Sequence, residues 1–140
     1  MYLLNTKAIV NKFMKVIEIN STASSPDIIL NPESGEFVFS GRSLPEDPIE
    51  FYEPVVEWFE EYKSNPLTGS VFNFKLTYFN TASSKVFFNL FQVIDKLNIA
   101  HPEVNNKIII YANNDDEDLL ELFEYYSELL ESNCLELKTV

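Results

Sequence analysis

Hydrophobic and polar positions change their period several times along this chain, and each change marks an element. Met14-Lys-Val-Ile-Glu-Ile19 has the short apolar character of a strand, and Asn20 to Pro26 is a loop by composition. Ile28-Ile-Leu30 and Glu36-Phe-Val-Phe39 flank the turn sequence Asn31-Pro-Glu-Ser-Gly35, which predicts a β-hairpin. Val71 to Phe79 alternates clearly. Phe72, Phe74, Leu76 and Tyr78 lie on one side and Asn73, Lys75 and Thr77 on the other, the pattern of a half-buried strand. Ile108-Ile-Ile-Tyr111 reads as a short buried strand, and Cys134-Leu-Glu-Leu137 as a final one.

Between these strands the period lengthens to that of a helix. Pro48 to Ser64 is the first helical segment, with Asp47 placed to cap it and Pro48 at its first position. Tyr52, Val55, Val56, Phe59 and Tyr62 form its apolar stripe, opposite Glu50, Glu53, Glu57 and Glu60. Pro54 either falls in the first turn of a helix that starts later or kinks one that starts at Pro48. Ala82 to Ile99 is the second helix, with Phe87, Leu90, Phe91, Ile94 and Leu97 in register. The third opens at Asn113-Asn-Asp-Asp116 and turns Leu119, Leu122, Phe123, Tyr126, Leu129 and Leu130 inward. Three strands followed by three helix–strand units predict a single α/β domain. It has a mixed sheet, about three helices and right-handed crossovers. The polar side of 71–79 suggests that helices cover only one face there.

Charge narrows the function. The chain carries a formal charge of -12 over 140 residues, which argues against nucleic acid and against an anionic membrane surface. Residues 1–20 are locally basic through Lys7, Lys12 and Lys15, so the acidity sits in two later runs. Glu46 to Glu61 holds seven acids and no base, and Asp115 to Glu131 eight and no base. Such faces keep a protein in solution, and they also steer a basic protein partner. A single cysteine, Cys134, rules out an internal disulfide and suits a reducing compartment. With no charged-then-apolar leader and no membrane-length apolar run, a cytoplasmic location is expected.

Catalytic chemistry is scarce. His101 stands alone before Pro102, and Cys134 has neither a histidine nor a basic cluster beside it. The three glycines are scattered, so no phosphate-cradling loop exists. Asn113 to Asp118 lacks the alternating ligands, central Gly and distal Glu of a calcium loop. Helix capping with first-turn acids accounts for it. No cofactor and no metal are expected, and the chain reads as a non-enzyme.

One segment stands out. In Asn80-Thr81-Ala82-Ser83-Ser84-Lys85, three hydroxyls follow the carboxyl end of a strand, where open α/β sheets place ligand-facing loops. Asn80 or Thr81 caps the following helix, and the serines are ordinary first-turn residues. The other reading makes one hydroxyl a phosphorylation switch, because a helix start offers unpaired N–H groups and a favourable dipole to a phosphate. Lys85, one turn beyond Thr81, adds a cation.

Residues 41–54 (Gly-Arg-Ser-Leu-Pro-Glu-Asp-Pro-Ile-Glu-Phe-Tyr-Glu-Pro), 78–85 (Tyr-Phe-Asn-Thr-Ala-Ser-Ser-Lys) and 115–120 (Asp-Asp-Glu-Asp-Leu-Leu) together resemble the SiaC family of bacterial regulatory phosphoproteins. The resemblance spans about residues 22–138. It divides the chain into an N-terminal extension, 1–21, and a regulatory domain, 22–140. It implies an architecture similar to anti-sigma factor antagonists, that is, STAS-like. It also implies phosphorylation of Thr81 by a Ser/Thr kinase of histidine-kinase fold, with removal by a PP2C-type phosphatase. The unphosphorylated form would bind and activate a diguanylate cyclase, linking the protein to cyclic di-GMP and biofilm control. Ala82 departs from the serine usual in the family, and Tyr111-Ala112-Asn113 from more aromatic residues.

The expected site is therefore Thr81 as acceptor, with Ser83 and Ser84 as fallbacks and Asn80, Lys85 and Arg42 shaping the loop. Arg42 reaches it only if the 41–45 loop lies nearby. Glu46, Asp47, Asp115, Asp116, Glu117 and Asp118 are the expected partner-binding residues. The competing class is an acidic binding module that is never phosphorylated. A small-molecule enzyme built on Asp115 to Asp118 is a distant third.

Overall fold

Six strands pair in chain order to form one sheet: β1 (Ile17–Ile19), β2 (Asp27–Asn31), β3 (Glu36–Ser43), β4 (Val71–Phe79), β5 (Lys107–Ala112) and β6 (Leu135–Thr139). The structure is a computed structural model and describes residues 15–140. β1, β2 and β3 are antiparallel, and β3 to β6 are parallel, so the sheet is mixed. The parallel joins carry α1 (Pro48–Ser64), α2 (Thr81–Ala100) and α3 (Glu117–Leu129). Met14 of the expected first strand lies outside the described residues. β1 falls before the expected boundary at 21/22 and pairs with β2 through Ile17–Leu30 and Ile19–Ile28.

All three helices pack on one face of the sheet. Because each parallel strand is added on the same side of the last, right-handed crossovers must stay on one face. Phe37 meets Trp58 of α1 at 5.6 Å between ring centroids, and Phe74 meets Phe91 of α2 at 5.0 Å. Phe39 stacks on Phe74 at 4.3 Å across the β3–β4 join. Ile28, Leu30, Phe72, Ile108 and Ile110 complete the buried side. On the other side Lys75 and Lys138 lie over the Tyr111 ring, and no described helix covers them. That matches the one-sided covering the alternation implied.

Two apolar stripes keep their predicted faces and differ at single positions. In α1, Trp58 is buried and Val56 is 38% exposed. The Trp58 ring fills the space between Phe37 and Tyr62, and its Nε1 donates to the Lys15 carbonyl at 2.8 Å. In α3, Leu129 is 49% exposed, while Leu130 beyond the helix end is buried. α1 does begin at Pro48, where Asp47 Oδ1 accepts from the Glu50 N–H at 3.1 Å. Pro54 therefore lies inside the helix. It is exposed, so water can reach the Glu50 carbonyl that its missing N–H leaves unpaired.

Candidate functional site

The site begins with a fault in the β3–β4 ladder. Gly41 pairs with Leu76, but Arg42 pairs with Tyr78, so Thr77 is an extra residue on β4. Gly41 has φ +103°, a conformation open to glycine and costly for other residues at this irregularity. One inserted residue exchanges the two faces of the strand beyond it. Tyr78, expected on the buried side with Phe74 and Leu76, is instead 54% exposed. Phe79 takes the inward place and packs edge-on against Phe87 at 5.5 Å.

α2 starts immediately afterwards. Asn80 is its cap, its Oδ1 accepting the Ser83 N–H at 2.8 Å. The Asn80 N–H donates to the Ser43 carbonyl at 3.2 Å, which ties the cap to β3. Arg42 stands in register with Tyr78, so the 41–45 segment does lie beside the loop. Among the described residues Arg42 makes no ion pair.

The three hydroxyls of the segment have different fates. Ser83 is 0% exposed, accepts from Ser43 Oγ at 2.8 Å and donates to the Ser43 carbonyl at 3.2 Å. Ser43 Oγ also bonds the Tyr52 phenol of α1 at 2.6 Å. Ser84 is 8% exposed and hydrogen-bonds the Tyr126 phenol of α3, which also donates to the Ser84 carbonyl at 3.2 Å. Burial pushes both phenols above their ordinary pKa, against the opposing effect of the serine hydrogen bonds, so both stay neutral donors. Thr81 and Lys85 are exposed one helical turn apart. The fallback acceptors Ser83 and Ser84 are thus sealed: no visiting active site reaches either oxygen without opening the helix packing.

The acidic residues separate into two kinds. Asp47 and Asp116 are helix caps, Asp116 Oδ1 accepting the Leu119 N–H at 3.1 Å. Glu46, Asp115, Glu117 and Asp118 are exposed and make no ion pair among the described residues. Elsewhere, His101 is exposed beside Glu103, and Cys134 is buried, with burial raising its thiol pKa. No group of three or more metal-ligating side chains exists among the described residues.

Sequence reasoning missed Ser43 and Asp95, and it placed Tyr52 and Tyr126 on buried stripes without their hydrogen-bonding role. Asp95 is buried in α2 and accepts from the Glu131 and Ser132 N–H groups at 3.1 and 2.7 Å, which closes the turn into β6. An acid amid the apolar register of α2 was the available signal for it. The three hydroxyl partners carried none.

The comparisons agree with this geometry. The protein resembles SiaC of Pseudomonas aeruginosa in fold, with a TM-score of 0.78 at 20% identity, covering 91% of this chain and 100% of that one. The crystal structure of apo-SiaC from the same organism gives 0.74 at 22% identity, covering 89% and 99%. A crystal structure of the diguanylate cyclase SiaD in complex with its activator SiaC, also from P. aeruginosa, gives 0.73 at 20% identity with the same coverages. An uncharacterised protein of P. aeruginosa strain UCBPP-PA14 is 28% identical over 88 residues, 63% of this chain and 68% of that one. Residues 19–140 match the SiaC family regulatory phosphoprotein profile. Because that match spans nearly the whole chain, the protein belongs to the SiaC family of regulatory phosphoproteins.

Proposed function

We propose that the protein is a partner-switching phosphoprotein in which the Thr81 hydroxyl is the acceptor. One observation carries this reading: of the three hydroxyls at the start of α2, Thr81 is exposed while Ser83 and Ser84 are buried. A Ser/Thr kinase of histidine-kinase fold transfers the γ-phosphoryl group of ATP to Thr81 Oγ1. The hydroxyl proton is lost and ADP leaves. A PP2C-type phosphatase hydrolyses the ester and restores the alcohol. Magnesium and nucleotide belong to the kinase; this chain presents a substrate.

The product is accommodated where it forms. The first N–H groups of α2 have no partners within the helix, and the macrodipole favours an anion there. Lys85 stands one turn on and offers an ion pair. The unphosphorylated form binds and activates a diguanylate cyclase; in P. aeruginosa, SiaC is the activator found in complex with the diguanylate cyclase SiaD. A hydrated dianion at Thr81 would have to be desolvated in that complex, which costs a few kcal/mol and weakens it.

Incubation with ATP and the cognate kinase, followed by mass spectrometry of the peptides, tests the reading. Label is expected on Thr81 and lost in Thr81→Ala, which still binds the cyclase. Label elsewhere, or none, supports the acidic module that is never modified. Wild-type cyclase binding by the phosphorylated protein overturns the electrostatic mechanism.

A further inference from the structure

The last residues of β4 and the first turns of α3 enclose a surface cleft of about 250 Å³. Its floor is Leu76, Phe79, Leu119 and Leu122, with Tyr78 on one wall and Asp116 and Asp118 on the other. The same four apolar residues line a narrow crevice that continues between α2 and α3 toward Phe74 and Phe91. Over it α3 buries Leu119 and Tyr126 and packs Leu120, Leu122 and Phe123 partly against the core. The ladder fault at Thr77 makes this cleft: it turns the Tyr78 ring out to the wall and Phe79 in to the floor.

We propose that the cleft receives one apolar side chain, leucine or aromatic, from a protein partner whose flanking residues are Lys or Arg. An apolar cavity of about 150 Å³ already holds benzene, so this volume suits one such side chain. Charge chooses the company it keeps. Asp116 and Asp118 line the α3 side of the cleft, and the run from Asp115 to Glu131 to which they belong contains no base. Bases flanking the inserted residue face these carboxylates, and acids there are repelled.

This inference rests on the proposed function, because the segment belongs to the effector. Thr81 follows Phe79 by two residues, so their Cα atoms are at most about 7.6 Å apart. A phosphate on Thr81 meets the α2 N-terminus and Lys85, and its hydration shell stands against the apolar end of the cleft. It obstructs the inserted side chain without competing for the carboxylates on α3.

The test uses isotope-labelled full-length protein and two amphipathic peptides of helical spacing, one of Leu and Lys and the other of Leu and Glu. The Leu/Lys peptide is expected to shift the amide resonances of Tyr78, Phe79, Leu119 and Leu122, and the Leu/Glu peptide to leave them in place. Asp118→Lys and Tyr78→Ser, both at exposed positions, weaken the Leu/Lys peptide by about tenfold each. Shifts confined to the other acidic helix, α1, or absent, overturn the proposal. Cyclase binding separates the two readings. If Thr81→Asp weakens it while Asp118→Lys and Tyr78→Ser leave it at the wild-type level, the cleft proposal fails and the phosphoswitch stands. If the unphosphorylated protein binds no cyclase, the proposed function fails and the peptide result alone decides the cleft.

Discussion

Ser43 and Ser83, forty residues apart in the chain, are joined by a hydrogen bond of 2.8 Å between their side-chain oxygens. The same Ser43 oxygen reaches Tyr52 at 2.6 Å, so β3, α1 and the first turn of α2 share one buried hydroxyl chain. Its effect is to hold the start of α2 still while leaving Thr81 on the outside. Replacing either serine strands a buried partner, which costs about 1–3 kcal/mol. Ser83→Ala and Ser43→Ala should each lower the urea midpoint accordingly. The double variant should lose less than their sum, as measured by a double-mutant cycle.

Tyr126 and Ser84 form the matching latch on the other side, between α3 and α2. Tyr126→Phe keeps the stack on Phe88, whose ring centroid lies 4.7 Å away, and removes only the hydroxyl. A loss of about 1 kcal/mol is expected. Amide exchange should quicken across α3 while the sheet keeps its protection, because Tyr126 is one of only two buried residues of α3.

Thr81 makes the opposite prediction. Thr81→Asp places a carboxylate at the positive end of α2, which is favourable by about 0.3–1 kcal/mol. The variant should be at least as stable as the wild type in thermal unfolding. A large destabilisation would mean that the residue is part of the packing and not a presented group.

Burial raises the pKa of Tyr52, Tyr62 and Tyr126 above 10.0, the ordinary phenol value. The folded chain therefore keeps these protons to higher pH than the unfolded chain does. The stability they contribute is fully present below about pH 10 and is lost as pH rises further, because the unfolded state ionises first. Denaturant midpoints should be level near neutrality and fall above about pH 10. Phenolate absorbance should rise with unfolding.

Asp95 gives a further check, since its carboxylate accepts two backbone N–H groups and the Ser132 hydroxyl. Asp95→Ala should cost about 2–3 kcal/mol and loosen the turn into β6, seen as faster exchange at Glu131 and Ser132.

What the sequence determined by itself is local. The six strands and three helices, the Asp47 cap, and the acidic outer faces follow from periodicity and capping chemistry, which act between residues a few positions apart. Tertiary structure decided whatever depends on a partner distant in the chain. Thr77 is an insertion only because Gly41 on another strand pairs with Leu76, so the alternation that seemed to bury Tyr78 could not show its reversal. Trp58 replaced Val56 on the buried stripe because Phe37 and Tyr62 surround that space. Thr81, Ser83 and Ser84 are three similar hydroxyls in one short segment. Ser43, Tyr52 and Tyr126 seal the two serines and leave the threonine facing water.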